Sequence, residues 1–407
     1  MVENVFSSKQ KNQVFRIIFL MVLLNWFSVK IVLPALPFLI KYFNTTPEYI
    51  QLSITIYLFG FSISRLFWGS FAEKYGNVRV YYPGLFISLI GIIISMTSNS
   101  LIQYIIGRTL EGVGIGCLAP CSRAMLTEIF EKNELSKRMI YVSLVGTSML
   151  GLGPIIGSWI MKLISWRAIF GFLFIFSILL YLFSRINLKI IHEKNIDLTY
   201  KDSINHYRTL LKDRYFWGFA IPYACATGGF IGFFSASPFW FVSQLGIDTH
   251  TFPYLLLPPV ALYNVGLLIT HRMVGKYPLE KIIHYGLIVG LFLLIISVII
   301  CFLKFFSFVW IVIIISLFGL VAGFIFPTAN SCLLSRFKKT AAPASAMVST
   351  IVFLASSIFS TITMRMKIPN LIPIVVYIGI LIIFAYVMYY FLIIKSNIYP
   401  NSNKSTT

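Results

Sequence analysis

A chain of 407 residues with 58% hydrophobic and only 11% charged side chains does not have enough polar surface to stay in water as a monomer. A soluble domain of this size carries about 25% charged residues, so lipid is the solvent this composition requires. In a soluble protein a formal net charge of +20 would suggest nucleic acid; here the cations sort by position along the chain, and nucleic-acid binding is not expected.

Lys9, Lys11 and Arg16 flank an apolar stretch that begins at Ile17. No small-x-small cleavage site follows and the run outlasts a signal-peptide core, so a retained first membrane helix is predicted. About 20 mostly apolar residues are needed to cross the hydrocarbon core. Such runs lie near Val14–Leu36, Ile50–Phe71, Val80–Met96, Leu101–Leu118, Met139–Met161 and Trp166–Phe183, then, after a polar stretch over Arg185–Arg214, near Phe216–Phe241, Tyr254–Thr270, Ile282–Leu303, Phe306–Leu334, Ala344–Thr363 and Leu371–Ile394. Backbone groups in lipid must be paired within their own segment, so the runs are helices. The predicted fold is all-α and integral to the membrane: twelve transmembrane helices in two six-helix halves. Residues 1–185 form the first half, 186–214 a central loop, 215–395 the second half and 396–407 a tail.

The cations fix an expected orientation. With the N-terminus in the cytoplasm, 24 of the 33 Lys and Arg fall in inside segments. The outside loops hold only Lys41, Lys162, Arg167, Lys304, Arg365 and Lys367, and Lys30, Arg65 and Arg108 lie within spans. This positive-inside bias puts both termini and the central loop in the cytoplasm and accounts for the net charge, with loop cations free to meet anionic lipid. A weak internal repeat agrees with two halves: Lys74-Tyr75 followed by Gly84-Leu85 recurs as Lys276-Tyr277 followed by Gly286-Leu287. Cys117, Cys121, Cys225, Cys301 and Cys332 all sit in apolar runs, and their odd number argues against a disulfide framework. The five histidines show no ligand spacing, so no metal is expected, and no cofactor.

Several stretches carry a family likeness. Span 1 has Leu33-Pro34-Ala35-Leu36-Pro37. Gln51 to Gly76 follows Q-L-x-x-x-x-Y-L-x-G-F and ends on Gly69, Glu73, Lys74 and Gly76. Span 4 has Gly107-Arg108-Thr109-Leu110-Glu111-Gly112-Val113-Gly114, continued by Ser122-Arg123-Ala124-Met125. Span 5 has Gly151-Leu152-Gly153-Pro154-Ile155-Ile156-Gly157, span 7 Ser235-Ala236-Ser237-Pro238-Phe239, and span 10 Gly323 through Pro327 with Asn330. Together these resemble the drug:proton antiporter family of the major facilitator superfamily, in particular its bicyclomycin/chloramphenicol-resistance (Bcr/CflA-like) branch, over nearly the whole chain. The resemblance implies the major facilitator fold, alternating access between the halves, proton antiport and export, with a small-molecule substrate and protons as partners, a monomer, and the cytoplasmic (inner) membrane as location.

The motifs also have direct physical readings. An acid and a base beside a tight glycine turn form a charged latch between two helices, so Gly69, Glu73, Lys74, Gly76 and Arg79 are candidate gating residues; a solvated turn is the plainer alternative. The family has two basic residues after Gly76, and here Asn77 and Val78 stand there, with Arg79 one step later. In span 5, Gly153, Pro154 and Gly157 allow close backbone approach and a bend. Trp26, Tyr57, Phe61 and Phe234, with Ser237 and Asn330, are candidate substrate contacts.

Intramembrane charges mark function, because each costs about 2.5–3.5 kcal/mol to insert. Aligned on the family pattern, Lys30 replaces an acid, and Arg65 and Glu111 each replace a glutamine. Tyr57, Phe61 and Arg65 are spaced i, i+4, i+8 and share one face of span 2; Trp26 and Lys30 share a face of span 1. Arg108 and Glu111 can pair, which leaves Lys30 and Arg65 without an acidic partner in any span. For Lys30 the alternative is snorkelling towards the outer interface; for Arg65 it is capping a neighbour's carbonyls or snorkelling inwards. The expected function is proton-coupled export of an anionic molecule, such as a polycarboxylate or carboxylate-type siderophore, with Lys30 and Arg65 as substrate contacts and Arg108 and Glu111 as coupling residues. Multidrug efflux of neutral or cationic compounds is the alternative; an uptake permease or a membrane receptor is more distant. No Walker-type loop is present to use ATP, and no spans carry paired acids, histidine clusters or an activated nucleophile, so the chain is not read as an enzyme.

Overall fold

The computed structural model describes residues 7–130, 132–188, 200–274, 276–302, 308–337, 341–367 and 371–396. They form twelve spanning helices: α1 (Lys9–Tyr42), α2 (Pro47–Tyr75), α3 (Asn77–Met96), α4 (101–129), α5 (Lys132–Leu163), α6 (Trp166–Asn187), α7 (Arg214–Gln244), α8 (Phe252–Met273), α9 (Leu279–Phe302), α10 (Phe308–Arg336), α11 (Ala341–Met364) and α12 (Ile372–Ile394). A shorter connecting helix, Tyr200–Lys212, lies between α6 and α7. Local chemistry sets several starts. Ser100 caps α4 by accepting from the Gln103 amide, Ser165 caps α6 through Ala168, and Asp213 caps α7 through Tyr215 and Phe216. Gly76, at φ 93°, takes the left-handed turn between α2 and α3 that a side chain would strain.

Eleven of these helices are single runs long and apolar enough to cross a membrane. The exception is α4. Its helix breaks at Gly116 and Cys117 into Leu101–Ile115 and Leu118–Ile129, and the two pieces together carry Arg108, Glu111, Arg123 and Glu128. The sequence reading stops this span at Leu118 and gives Arg123 to the following loop. The structure instead continues the helix to Ile129, so Arg123 belongs to the bundle. Phe67, Phe86, Ile102, Ile175, Phe292 and Ile380 stand more than half exposed around the outside, an apolar surface that only lipid tolerates.

The two halves repeat each other in their closest contacts. A Cβ added at Gly112 of α4 would lie 2.7 Å from the Tyr57 carbonyl of α2; at Gly323 of α10 it would lie 2.2 Å from the Tyr263 carbonyl of α8. The repeat seen in the sequence behaves likewise: Gly84 packs α3 on Cys117 of α4, and Gly286 packs α9 on Phe324 of α10. Without a hydrophobic drive between helices in lipid, such small-residue seams hold each half together.

Contacts of a different kind join the halves. Along α2 and α11, Gln51 Nε2 donates to Ser360 Oγ at 3.0 Å, Thr55 and Thr361 hydroxyls meet at 3.2 Å, Ser357 donates to the Thr55 carbonyl at 3.1 Å, and Thr350 donates to the Ser62 carbonyl at 2.9 Å. Between α5 and α8, Thr147 donates to Asn264 Oδ1 at 2.5 Å, and Trp159 donates to the Tyr254 hydroxyl at 3.2 Å. Buried almost throughout, α7 passes through the seam. Its hydrogen bonding widens to π turns at Ala224–Gly228 and Phe239–Gln244, just after Pro222 and Pro238 remove backbone donors.

Candidate functional site

The charged residues of the spans gather where α1, α2 and α4 of the first half face α7 and α11 of the second. Asn25, Ser28 and Lys30 of α1, Tyr57, Phe61 and Arg65 of α2, and Arg108 and Glu111 of α4 are all buried. Trp26 is half-buried, with its indole edge against Gly146 of α5.

One carboxylate organises the first group. Glu111 Oε2 accepts from Arg108 Nη1 at 2.6 Å, and Oε1 accepts from Ser28 Oγ at 2.5 Å. Arg108 Nη2 also donates to the Ser28 carbonyl at 3.3 Å, and the guanidinium carbon lies 4.1 Å from the Tyr57 ring centroid. Ser28 has one hydroxyl proton and gives it to Glu111. The Tyr57 hydroxyl, 2.8 Å away, is therefore the donor to Ser28. The result is a directed chain from Tyr57 through Ser28 to Glu111, with Arg108 balancing the charge. Asn25, Ser28 and this chain were not legible in the sequence, which showed only that Arg108 and Glu111 sit three apart.

Lys30 and Arg65 have different surroundings. Lys30 Nζ reaches Ser235 Oγ of α7 at 3.4 Å and stands 5.8 Å from the Phe234 ring centroid. Arg65 sits in a corner made by Phe61 of its own helix and Phe353 of α11, 4.0 and 4.5 Å from the two ring centroids. Those rings meet edge to face at 4.9 Å. Arg65 Nη2 donates to Asn25 Oδ1 at 3.5 Å, and its buried Nε has no partner. Among the described residues neither cation is paired with a carboxylate. Neither side chain faces lipid. The stripe of Tyr57, Phe61 and Arg65 is present as one face, with the first two rings stacked at 5.8 Å.

Not every candidate joins this group. Ser237 donates to the Phe234 carbonyl one turn back in α7, and the hydroxyl that meets the cation is that of Ser235. Residues two apart on a helix point to nearly opposite sides, and a helix buried on all faces gives no polar pattern by which to choose between them. Phe234 is buried against Phe230 and Phe233 as well as facing Lys30. Asn330, half-buried on α10, stands outside the hydrogen-bonded network.

The gating candidates fall into two places. At the Gly76 turn, Asn77 Nδ2 donates to Glu128 Oε1 of α4 at 2.7 Å, Lys74 lies 5.4 Å from the Tyr75 ring centroid, and Arg79 is exposed. Glu73 stands beside His206 of the connecting helix, whose Tyr207 hydroxyl donates to the Leu66 carbonyl at 3.1 Å. Gly69 packs on Ala346 of α11, with Tyr207 close by. Asn77 ties the start of α3 to α4, and Tyr207 ties the connecting helix to α2. In α5, Gly153 lies under the Lys30 Cβ and Gly157 under the Ile31 carbonyl, with Pro154 between them.

Comparison with known proteins agrees with this architecture. A bicyclomycin resistance protein homolog of Haemophilus influenzae is 23% identical over 382 residues, 90% of this chain and 92% of that protein. The multidrug transporter MdfA of Yersinia pestis is 22% identical over 262 residues, 63% of this chain and 64% of that one. The crystal structure of a D-xylose-proton symporter superposes with a TM-score of 0.68 at 14% identity, covering 93% of this chain and 97% of that one, a likeness of fold. The sequence profile of the Major Facilitator Superfamily matches residues 18–360, and with its twelve helices in two six-helix halves this multi-pass membrane chain belongs to that superfamily of transporters.

Proposed function

We propose that this transporter exports a small organic anion bearing more than one carboxylate across the cytoplasmic membrane, in exchange for protons. The observation that carries the reading is the pair Lys30 and Arg65: two cations buried at the seam between the halves, with only neutral partners among the described residues, while Glu111 is engaged by Arg108. Buried charge without a counter-charge is costly, and a bound anion removes that cost in the substrate-loaded state. Their positions support alternating access, since Lys30 meets α7 and Arg65 meets α11. Each cation reads the closeness of the opposite half. The test is uptake into inverted membrane vesicles from a panel of acidic, neutral and basic compounds, with and without a proton gradient. Gradient-dependent accumulation of polycarboxylates is expected. Accumulation confined to cationic or neutral compounds would overturn the reading in favour of multidrug efflux, which the bicyclomycin resistance and MdfA relatives favour.

For coupling we assign the chain Tyr57–Ser28–Glu111. Protonation of Glu111 would release Arg108 and Ser28 together and loosen α1 from α4. Glu111→Gln keeps the shape and removes the charge. It is expected to reduce gradient-driven accumulation by roughly tenfold or more while changing substrate affinity by less than about threefold, since the carboxylate holds the helices and does not face the ligand. Unchanged gradient-driven transport in this variant would remove Glu111 from the coupling path.

The distribution of Lys and Arg supports a cytoplasmic location for both termini and the central loop. Accessibility tags at the N-terminus, near Lys201 and at the C-terminus are expected to report inside, and a tag near Asp248 outside; an outside signal from Lys201 would reverse that assignment.

A further inference from the structure

The sequence position of Arg123 reads as a loop, and the family likeness assigns it no role here. In the structure it occupies the second segment of α4, half-buried. Its Nη1 crosses the seam to donate to Ser345 Oγ of α11 at 2.9 Å. Arg65 and the buried Tyr223 of α7 lie within electrostatic reach of it, each also within reach of the other. Arg123 thus meets α11 at Ser345, eight residues along the same helix from the Phe353 that Arg65 meets.

The arrangement is unfavourable as it stands. Two like charges at a low-dielectric seam repel, and the acids of α4 are engaged elsewhere: Glu111 with Arg108 and Glu128 with Asn77. Arg65 is fixed by the corner of Phe61 and Phe353, and its buried Nε is left without an acceptor. A guanidinium so held keeps its edge donors in a set plane, and planar forks match carboxylate and phosphate oxygens two at a time. Lys30 is held separately, against Ser235 of α7.

We infer that Arg65 and Arg123 together form an oxyanion-binding pole at the α2–α4–α11 seam, separate from Lys30, so that the substrate carries at least two acidic groups held apart by its carbon skeleton. Arg123 is then a specificity-determining residue, and its bond to Ser345 is the resting contact that an arriving oxyanion displaces. This rests on the anionic-substrate reading and goes beyond it by fixing the number and separation of the charges.

The test uses the full-length protein in lipid nanodiscs, with binding read by isothermal titration. The probes are citrate as a polycarboxylate, acetate as a monocarboxylate, inorganic phosphate, and tetraphenylphosphonium as a cation. Wild type is expected to bind citrate and to bind acetate and phosphate far more weakly. Arg123→Gln should weaken citrate roughly tenfold or more, the scale of losing a charge-assisted contact, with Arg123→Lys in between because it keeps charge and loses the fork. Ser345→Ala removes the resting contact alone and should leave citrate binding intact or tighter; a purely structural latch would instead fail in Ser345→Ala as it does in Arg123→Gln. Citrate binding unchanged in both Arg123 variants overturns the inference and leaves the anionic reading standing, as does phosphate or acetate binding as tightly as citrate. Tetraphenylphosphonium bound by wild type in preference to every anion overturns both.

Discussion

Gly157→Ala is expected to abolish transport and to lower the unfolding temperature of the purified protein. The new methyl carbon would lie 1.9 Å from the Ile31 carbonyl oxygen and 2.9 Å from its carbon. The obstacle is backbone, which cannot rotate away as a side chain would. Ile31 follows the last α-helical residue of the first segment of α1, and Pro34 lies in the 3-10 turn beyond it, so the carbonyl is held at a bend. Overpacking a close seam costs about 1–3 kcal/mol, and this substitution belongs at the upper end. Gly153→Ala, whose methyl would meet the Lys30 Cβ at 3.3 Å, should be tolerated with a small loss. Thermal unfolding in detergent and vesicle transport measured on both variants decide the matter. Wild-type behaviour of Gly157→Ala would mean that α1 and α5 do not pack this closely in the working protein.

The largest change in specificity is expected from Lys30→Asp combined with Arg65→Gln. At an effective dielectric of about 20, a unit charge about 8 Å from a ligand charge contributes about 2 kcal/mol. Reversing Lys30 changes that contribution twice over, and removing the Arg65 charge adds to it. Inverted vesicles carrying the double variant should lose polycarboxylate accumulation and accumulate quaternary ammonium compounds better than wild type. The aromatic walls from Tyr57, Phe61 and Phe353 are unchanged, so preference for ligand size should move less than preference for charge. A double variant that exports polycarboxylates as wild type does would remove both cations from the substrate site.

How much of this was legible beforehand depended on whether a residue announces itself along one helix or only across two. The twelve spans follow from apolar length, because lipid imposes one rule on every segment. The break in α4 did not show: Gly116 and Cys117 look like any other small pair, and the charges of Arg123 and Glu128 made the continuation read as a loop. Arg108 with Glu111, and the stripe from Tyr57 to Arg65, came from helical spacing alone. Ser28, Asn25, Ser235 and Phe353 complete the site from other helices. Their selection depends on which face of each helix turns to the seam, and uniformly apolar helices such as α7 carry no pattern that says so.

The hydroxyls along α2 and α11 determine how readily the two halves can part. Thr350, which reaches the Ser62 carbonyl, is also within 2.9 Å of the Ala346 carbonyl one turn back in its own helix. Thr361 has the Ser357 carbonyl to fall back on, and Ser360, which accepts from Gln51 across the seam, already donates to that carbonyl. When the seam opens, Thr350 and Thr361 retreat to their own backbone and keep an acceptor. Interhelical hydrogen bonds in membranes average only about 0.6 kcal/mol, so the closed and open arrangements differ little in energy on this account. Gln51 has no comparable retreat for its amide, and its Oε1 is unpartnered even when closed. A fastener of this kind sets no strong preference of its own. A cargo or a proton that binds one arrangement better by a few kcal/mol is then enough to decide which side of the membrane the site faces.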